Sequence, residues 1–198
     1  MNLRKLELMR DALKHCDSLL RELIADENDD FDSLLDRLTL TKRTMFDAFG
    51  EIAQERFQST EFVKTAKAAV VDELVFLLDG KIAKDGIAIP NFIRVHETLL
   101  AFMFSRIGES IPGAWLRAVT GDQIHAERRV RQLRELGFTI SWKRETGDFK
   151  YVMRTREQDL SVACLLWIRH KLQEASLEEG LRRFLEGAAT KLARAKLE

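Results

Sequence analysis

The chain has 198 residues, enough for one large domain or two small ones with a buried core. Its 32 basic and 32 acidic residues cancel, which argues against a general polyanion-binding protein. No run approaches the ~18 apolar residues of a membrane-spanning helix, and the N-terminus lacks the apolar core of a signal peptide. We therefore expect a soluble, cytoplasmic protein that makes no membrane contact.

The residues that usually carry redox, metal or hydrolytic chemistry are sparse. Cys16 and Cys164 are too few for a disulfide framework, so we expect both to be reduced. The four histidines show no metal-ligand spacing, and no phosphate loop or nucleophile elbow is present. The nearest nuclease-like pattern is Asp148-Phe149-Lys150, a carboxylate two residues before a lysine. We predict no cofactor and no metal, and leave enzymatic activity open with a leaning against it.

The first eighty residues read as a helical region. Apolar positions from Leu3 to Ile24 predict an amphipathic helix that serves packing or dimerisation. The acidic run from Asp26 to Asp30 predicts a solvated loop, and a short helix is expected from Phe31 to Leu38.

The stretch from Leu38 to Ile52 predicts a second helix that starts at Thr41 as its N-cap. The basic residues Lys42 and Arg43 would then lie at the positive end of the helix, where phosphates bind. This order of residues resembles the recognition helix of tetracycline-repressor-like regulators, which implies a second DNA-contacting element. A plain capped helix with Met45 and Phe46 in the core is the alternative.

A strong helix is predicted from Phe62 to Leu78, ended by Asp79 and Gly80. The small apolar run Ile87-Ala88-Ile89 could form a short strand. Pro90 and Asn91 then open a helix from Phe92 to Ile107 that is apolar nearly all round, so we expect it to be central.

The stretch from Ala114 to Met153 carries the main functional prediction. A short apolar helix around Trp115 precedes the turn Thr120-Gly121-Asp122, and Ile111 could form a short strand before it. A second helix, Ile124 to Leu136, would bury Ala126, Val130 and Leu133. Two runs with a strand's alternation follow, joined by a polar link from Arg144 to Asp148, and predict a β-hairpin.

Positive charge is concentrated in this segment. From Ala114 to Arg156 there are ten basic and five acidic residues, so the segment carries about +5 and the rest of the chain about −5. Arg128, Arg131 and Gln132 are predicted to point away from the packed face of the second helix, with Arg129 and Arg134 beside them. Guanidinium groups bind phosphate oxygens and the edge of guanine, whereas glutamine suits adenine.

The run RRVRQLRELGFTI, Arg128 to Ile140, resembles the recognition helix and first wing strand of winged helix-turn-helix domains that accompany HNH-type and restriction endonucleases. The resemblance implies binding to double-stranded DNA and does not imply cleavage. It implies that Arg128, Arg129, Arg131, Gln132 and Arg134 are candidate contacts by position. We therefore predict a sequence-reading regulator or DNA-recognition module. Its mechanism would be phosphate anchoring by Arg129, Arg134, Lys143 and Arg144, with base reading by Arg128, Arg131 and Gln132. Lys150 on the hairpin is a further candidate contact.

The predicted fold is therefore mainly α, a helical bundle with an embedded winged helix-turn-helix and a small β-hairpin. We divide the chain into a helical region (1–80), the winged domain (87–156) and a helical extension (157–198). Helices Asp159 to Leu172 and Leu177 to Leu192 form the extension, and the flanking helices could serve homodimerisation.

Two other functions remain open. The chain could be the recognition or nuclease component of a restriction or defence system. Alternatively, it could be a helical protein-interaction module whose basic face meets an acidic partner. Some of the arginines could also be structural, since Arg131 lies at helical spacing from both Glu127 and Glu135.

Overall fold

A computed structural model describes residues 31–57, 61–89, 94–121, 126–145 and 147–194, together with residues 7, 10–11, 13–18 and 21–22. The residues described before position 31 are helical, as predicted, although parts of that first helix lie outside the described residues. The elements that follow are the helices α1 (Phe31–Arg56), α2 (Phe62–Leu77), α3 (Arg94–Phe104), α4 (Gly113–Val119), α5 (Ala126–Glu135), α6 (Leu160–Leu172) and α7 (Glu179–Arg194), and the strands β1 (Ile111–Pro112), β2 (Phe138–Glu145) and β3 (Asp148–Gln158).

The structure confirms a mainly helical fold with a small antiparallel sheet. The strand order is β1-β3-β2, with Ile111 paired to Tyr151 and Trp142 paired to Tyr151 from the other side. The elements from α3 to β3 follow one another in the predicted order of helix, short strand, two helices and hairpin. The link between β2 and β3 is shorter than predicted, because Arg144 and Glu145 belong to β2.

The prediction of two separate helices between residues 31 and 57 is wrong. α1 runs without interruption from Phe31 to Arg56, so Thr41 lies in its middle and caps nothing. The reason is local: the sequence between Leu38 and Thr41 contains neither glycine nor proline, and nothing else in it stops helix propagation. Lys42 and Arg43 are exposed on the middle of a long helix and not at a positive helix end.

The predicted strand at residues 87–89 is also wrong. These residues follow a short 3-10 turn, Lys84–Gly86, and pair with no described strand. β1 occupies the edge of β3 that β2 leaves open. The carbonyl oxygen of Ala88 accepts a hydrogen bond from Nε1 of Trp167 at 3.1 Å, which holds this segment against α6 instead.

One apolar core joins the elements from α2 to α7. It includes the fully buried Leu74 on α2, Leu99 and Met103 on α3, Ile168 on α6 and Leu185 on α7. α3 is central, as predicted, since most of its side chains are buried. The division of the chain into three regions stays a prediction.

Two polar side chains link separate elements of the fold. Glu97 connects two helices, and Gln158 connects the hairpin to helices. The carboxylate of Glu97 on α3 accepts hydrogen bonds from the backbone N–H groups of Val63 and Lys64, at 3.0 and 3.2 Å. This places a negative charge at the positive end of α2. Nε2 of Gln158, the last residue of β3, donates to the carbonyl oxygens of Ala66 and Leu136, at 2.9 and 2.7 Å.

Two glycines allow backbones to approach closely. A Cβ atom on Gly50 of α1 would lie 2.8 Å from Cα of Gly121, the glycine that ends α4 with a φ of +69°. Gly137 joins α5 to β2 with a φ of +92°, and a Cβ there would lie 2.2 Å from the carbonyl oxygen of Asp159. Only glycine meets both demands at position 137.

Both described cysteines are free thiols, as predicted. Burial, helped by the nearby Glu73, raises the pKa of Cys164 to about 12, so this thiol stays protonated at neutral pH. Among the described residues, none of the helices combines the length and apolar character that crossing a membrane requires.

Candidate nucleic-acid interface

The basic helix α5 is held in place by its apolar face. Ala126, Val130 and Leu133 are buried against the core, as predicted from their spacing. The preceding helix α4 is fixed to it by a salt bridge of 3.1 Å between Arg117 and Glu127. α5 is therefore a positioned element whose other face is presented outward.

The outward face of α5 carries three exposed arginines, Arg128, Arg131 and Arg134. They lie three residues apart, so their side chains are neighbours on the helix surface. Arg131 forms no ion pair with Glu127 or with Glu135, the two carboxylates of α5 at helical spacing from it. Glu127 binds Arg117 instead. Within the described chain, these three guanidinium groups have no carboxylate within 4 Å, which leaves them available to a ligand.

The other two predicted DNA contacts on α5, Arg129 and Gln132, point elsewhere. Gln132 is half-buried, and its side-chain Oε1 lies 2.9 Å from Nε2 of the buried His96 on α3. Nη1 of Arg129 donates to the same oxygen at 3.3 Å. The prediction that Gln132 points outward with Arg128 and Arg131 is therefore wrong, because the sequence did not reveal a polar partner 36 positions away. Its contact with DNA stays a prediction.

The hairpin has two different faces. Directly paired residues of antiparallel strands point to the same side of the sheet. Trp142 and Tyr151 form one such pair and Arg144 and Phe149 the next, and we call their side the inner face because it adjoins α5. Lys143 and Lys150, which form the pair between them, lie on the outer face.

The two lysines of the outer face share one carboxylate. Glu145 forms salt bridges with Lys143 and with Lys150, the second at 2.7 Å. Like charges that face each other across a sheet repel, and the carboxylate relieves this repulsion. Hydrogen bonds from Lys143 and Lys150 lower the pKa of Glu145 to about 2, so it is ionised at neutral pH. Together these three side chains carry one net positive charge.

The inner face is aromatic. The Trp142 ring is 54% exposed and contacts Phe149 edge to face, with 5.4 Å between ring centres. The Arg144 guanidinium lies 5.8 Å from the centre of the Phe149 ring on the same face. Between this face and α5 lies a groove of about 300 Å³, which we call the aromatic groove. It is lined by Glu127, Val130, Arg131, Arg134, Trp142, Phe149 and Tyr151.

A second groove lies on the other side of the same arginines. It has a volume of about 580 Å³ and runs between the end of α5, the start of β2 and α6. Arg131 and Arg134 line this groove as well, opposite Ser141 and the exposed His170. The two arginines thus form a positively charged ridge between two depressions.

The remaining candidate residues lie away from this surface or outside the described residues. Lys150 of the nuclease-like pattern is bound to Glu145. His125, which precedes α5, lies outside the described residues. Among the described residues, no three His, Cys, Asp or Glu side chains are grouped as metal ligands.

The sequence did not indicate the roles of two residues on this surface and of one buried beneath it. Trp142 was assigned to the strand pattern alone, although an aromatic between polar residues of a hairpin could have indicated an exposed ring. Glu145 was placed in the turn, and its position between the lysines depends on the strand register. His96 was treated as an isolated histidine, and nothing in the sequence connects it to Gln132.

Comparison with known protein families gives one match. A family model described as the KpnI N-terminal domain, which is related to restriction enzymes, matches residues 96–153, less than a third of the chain. The match begins in α3 and ends in β3, so it covers the basic helix and both faces of the hairpin tip. No curated protein and no solved structure matches the chain significantly. The comparison thus associates the segment that carries the exposed arginines with restriction systems.

Proposed function

We propose that the chain is a DNA-recognition component of a restriction or defence system. In this proposal α3 to β3 form a winged helix-turn-helix that binds double-stranded DNA, with α5 as the recognition helix and the hairpin as the wing. The observation that carries the proposal is the row of Arg128, Arg131 and Arg134. These arginines are exposed, have no ion-pair partner among the described residues, and lie in the segment related to restriction enzymes.

The proposed contacts divide into two groups. Arg128 and Arg131 are on the exposed face of α5 and read base edges in the major groove. Arg134, Arg144, Lys143 and Lys150 anchor phosphates, the two lysines only after they separate from Glu145. Arg129 and Gln132, which we predicted as contacts, are better suited to positioning α5 against His96, because their polar atoms already meet there.

The proposal is tested by fluorescence anisotropy of a labelled random-sequence duplex over a salt series. Wild-type binding should weaken steeply as salt rises, because bound cations are released from the phosphates. The Arg128→Ala/Arg131→Ala variant should bind about tenfold more weakly, because two positive charges that face the DNA are lost. The matched control is Arg169→Ala/Arg194→Ala, which removes one exposed arginine from α6 and one from the end of α7 and should change little.

Three other outcomes would each redirect the interpretation. No wild-type binding at low salt, together with co-purification of one acidic protein, would contradict DNA binding and favour the protein-interaction module. Binding that survives the α5 variant but is lost in Lys42→Ala/Arg43→Ala would move the DNA surface to α1. Metal-dependent nicking of plasmid DNA by the purified chain would show that the chain itself is the nuclease component.

We also infer that the protein forms a homodimer through its flanking helices. A groove of about 630 Å³ lies between α2 and α7. Its lining is mainly apolar and includes Phe76, which is 80% exposed, and the charged residues Asp79, Arg183 and Lys191 also border it. An exposed aromatic beside an apolar groove is typical of an interaction surface. Light scattering at micromolar concentration should give twice the chain mass, and a monomeric mass would contradict the inference.

A further inference from the structure

The aromatic groove offers a flat ring next to positive charge. Trp142 is more than half exposed, and its contact with Phe149 fixes the orientation of the indole ring. Tyr151 is buried at the base of the groove, and Arg131 and Arg134 border it from α5. A large aromatic surface that is held rigid and yet left in solvent is suited to stacking on another flat ring.

The charges of the groove restrict what this ring can stack on. Arg131 and Arg134 make no ion pair within the described chain, whereas Glu127, which also lines the groove, is bound by Arg117 at 3.1 Å. A cationic ligand such as a methylated ammonium group would be repelled by the two guanidinium groups. A ligand that combines a flat ring with a negative charge satisfies both the indole and the arginines. A nucleotide has this combination.

An intact duplex does not supply such a ring. Its bases are stacked on one another and show only their edges in the grooves. A base becomes available for stacking on a protein side chain when it is unpaired and turned out of the helix. Single-stranded DNA and RNA are commonly bound in this way, by aromatic side chains that stack on bases beside cationic residues that track the backbone.

We propose that the aromatic groove binds one unpaired nucleotide of a DNA strand, with the base stacked on Trp142 and its phosphate bound by Arg134. The inference rests on the proposed function, since it takes DNA as the ligand. It adds that the protein prefers DNA with an extrahelical base over a fully paired duplex. The volume of the groove, about 300 Å³, is at the lower end of the range for small-ligand sites and suits one base with part of its sugar.

The test compares two labelled duplexes of identical sequence, one fully paired and one with a single extra adenine that has no partner. The measured quantity is the ratio of the two dissociation constants by anisotropy at one salt concentration. Wild type should bind the bulged duplex about tenfold more tightly, the scale of one base–aromatic stack. Trp142→Ala should bring the ratio close to one, and Trp142→Phe, which keeps a flat ring, should retain part of the preference.

Two controls separate stacking from a general loss of structure. Trp115→Ala removes another exposed tryptophan, on α4, and should leave the ratio unchanged. Trp142→Leu keeps apolar bulk without a flat aromatic ring and should behave like Trp142→Ala. If Trp142→Ala does not fold, as judged by thermal melting, the Phe and Leu variants still decide the question.

The outcomes distinguish this inference from the proposed function. If neither duplex binds at low salt, the proposed function fails. If both duplexes bind with equal affinity, or if the preference survives in Trp142→Leu, the inference fails while DNA binding stands. If micromolar deoxyadenosine monophosphate displaces the bulged duplex, the ligand of the groove is a free nucleotide and the assignment to a DNA strand is overturned.

Discussion

The recognition helix and the hairpin tip are both basic, but they hold their charges differently. Arg128, Arg131 and Arg134 of α5 stand without ion pairs in the described chain, whereas Lys143 and Lys150 on the hairpin share Glu145. A phosphate that approaches α5 meets guanidinium groups that are already available. A phosphate that approaches the outer face of the hairpin must compete with a carboxylate. Counting basic residues therefore overstates the contribution of the hairpin.

α5 and the hairpin can act on one ligand only if they form one rigid unit, and Gly137 joins them. Gly137→Ala should have the largest effect on the molecule, because the new Cβ would meet the carbonyl oxygen of Asp159 and the φ of +92° suits only glycine. We expect a loss of about 3 kcal/mol or more in the free energy of unfolding. Thermal melting followed by circular dichroism should show the midpoint fall by roughly 6–12 °C.

Gly147→Ala is the matched control for this change. Gly147 has nearly the same backbone conformation, with a φ of +88°, but no atom lies within 4 Å of its ideal Cβ. Its substitution should cost only the conformational strain, about 1 kcal/mol. Equal losses for the two variants would contradict the proposed close packing of α5, β2 and α6 at Gly137.

The contrast between the two elements predicts different losses for single substitutions. Arg131→Ala should weaken binding to a duplex selected from a random pool by about tenfold or more, and weaken random-sequence binding less, because a base contact is lost. Lys143→Ala should weaken both by a similar and smaller factor, about two- to threefold, because this lysine is partly neutralised by Glu145. Anisotropy with the two duplexes measures all four values. Equal loss in both variants would contradict the division between base reading and phosphate anchoring.

The sequence predicted the framework of this surface better than its polar contacts. Spacing alone placed the buried face of α5 and the alternation of the hairpin, since burial of apolar side chains enforces both patterns. It failed for Gln132, whose orientation depends on the distant His96. It also failed for Glu145. The polar segment around Gly147 predicts that Glu145 lies in the turn, whereas β2 continues through this residue. Contacts set by packing or by register have no local signal.

The role of Glu145 can be tested by removing its charge. Glu145→Gln should strengthen binding to random duplex DNA about three- to tenfold at low salt and steepen the salt dependence by about one unit, because two lysines become available to phosphates. Glu157→Gln is the matched control: it makes the same charge change at an exposed position of β3 that has no ion pair among the described residues. If the two variants gain equally, the effect is one of net charge and the shared carboxylate does not restrain the lysines.

The last and smallest effect is the titration of Glu145 itself. Because Lys143 and Lys150 lower its pKa from 4.5 to about 2, its side-chain carboxyl carbon should titrate with a midpoint near 2 in an NMR pH series. The depressed value means that the folded state holds this proton less tightly than the unfolded state. Its contribution to stability is therefore present above about pH 4.5 and lost as the pH falls towards 2.

In a Lys143→Met/Lys150→Met variant the midpoint should return towards 4.5. A wild-type midpoint near 4.5 would mean that the lysines do not hold the carboxylate in solution. The hairpin would then present its charges as openly as α5 does, and the contrast between the two elements would disappear.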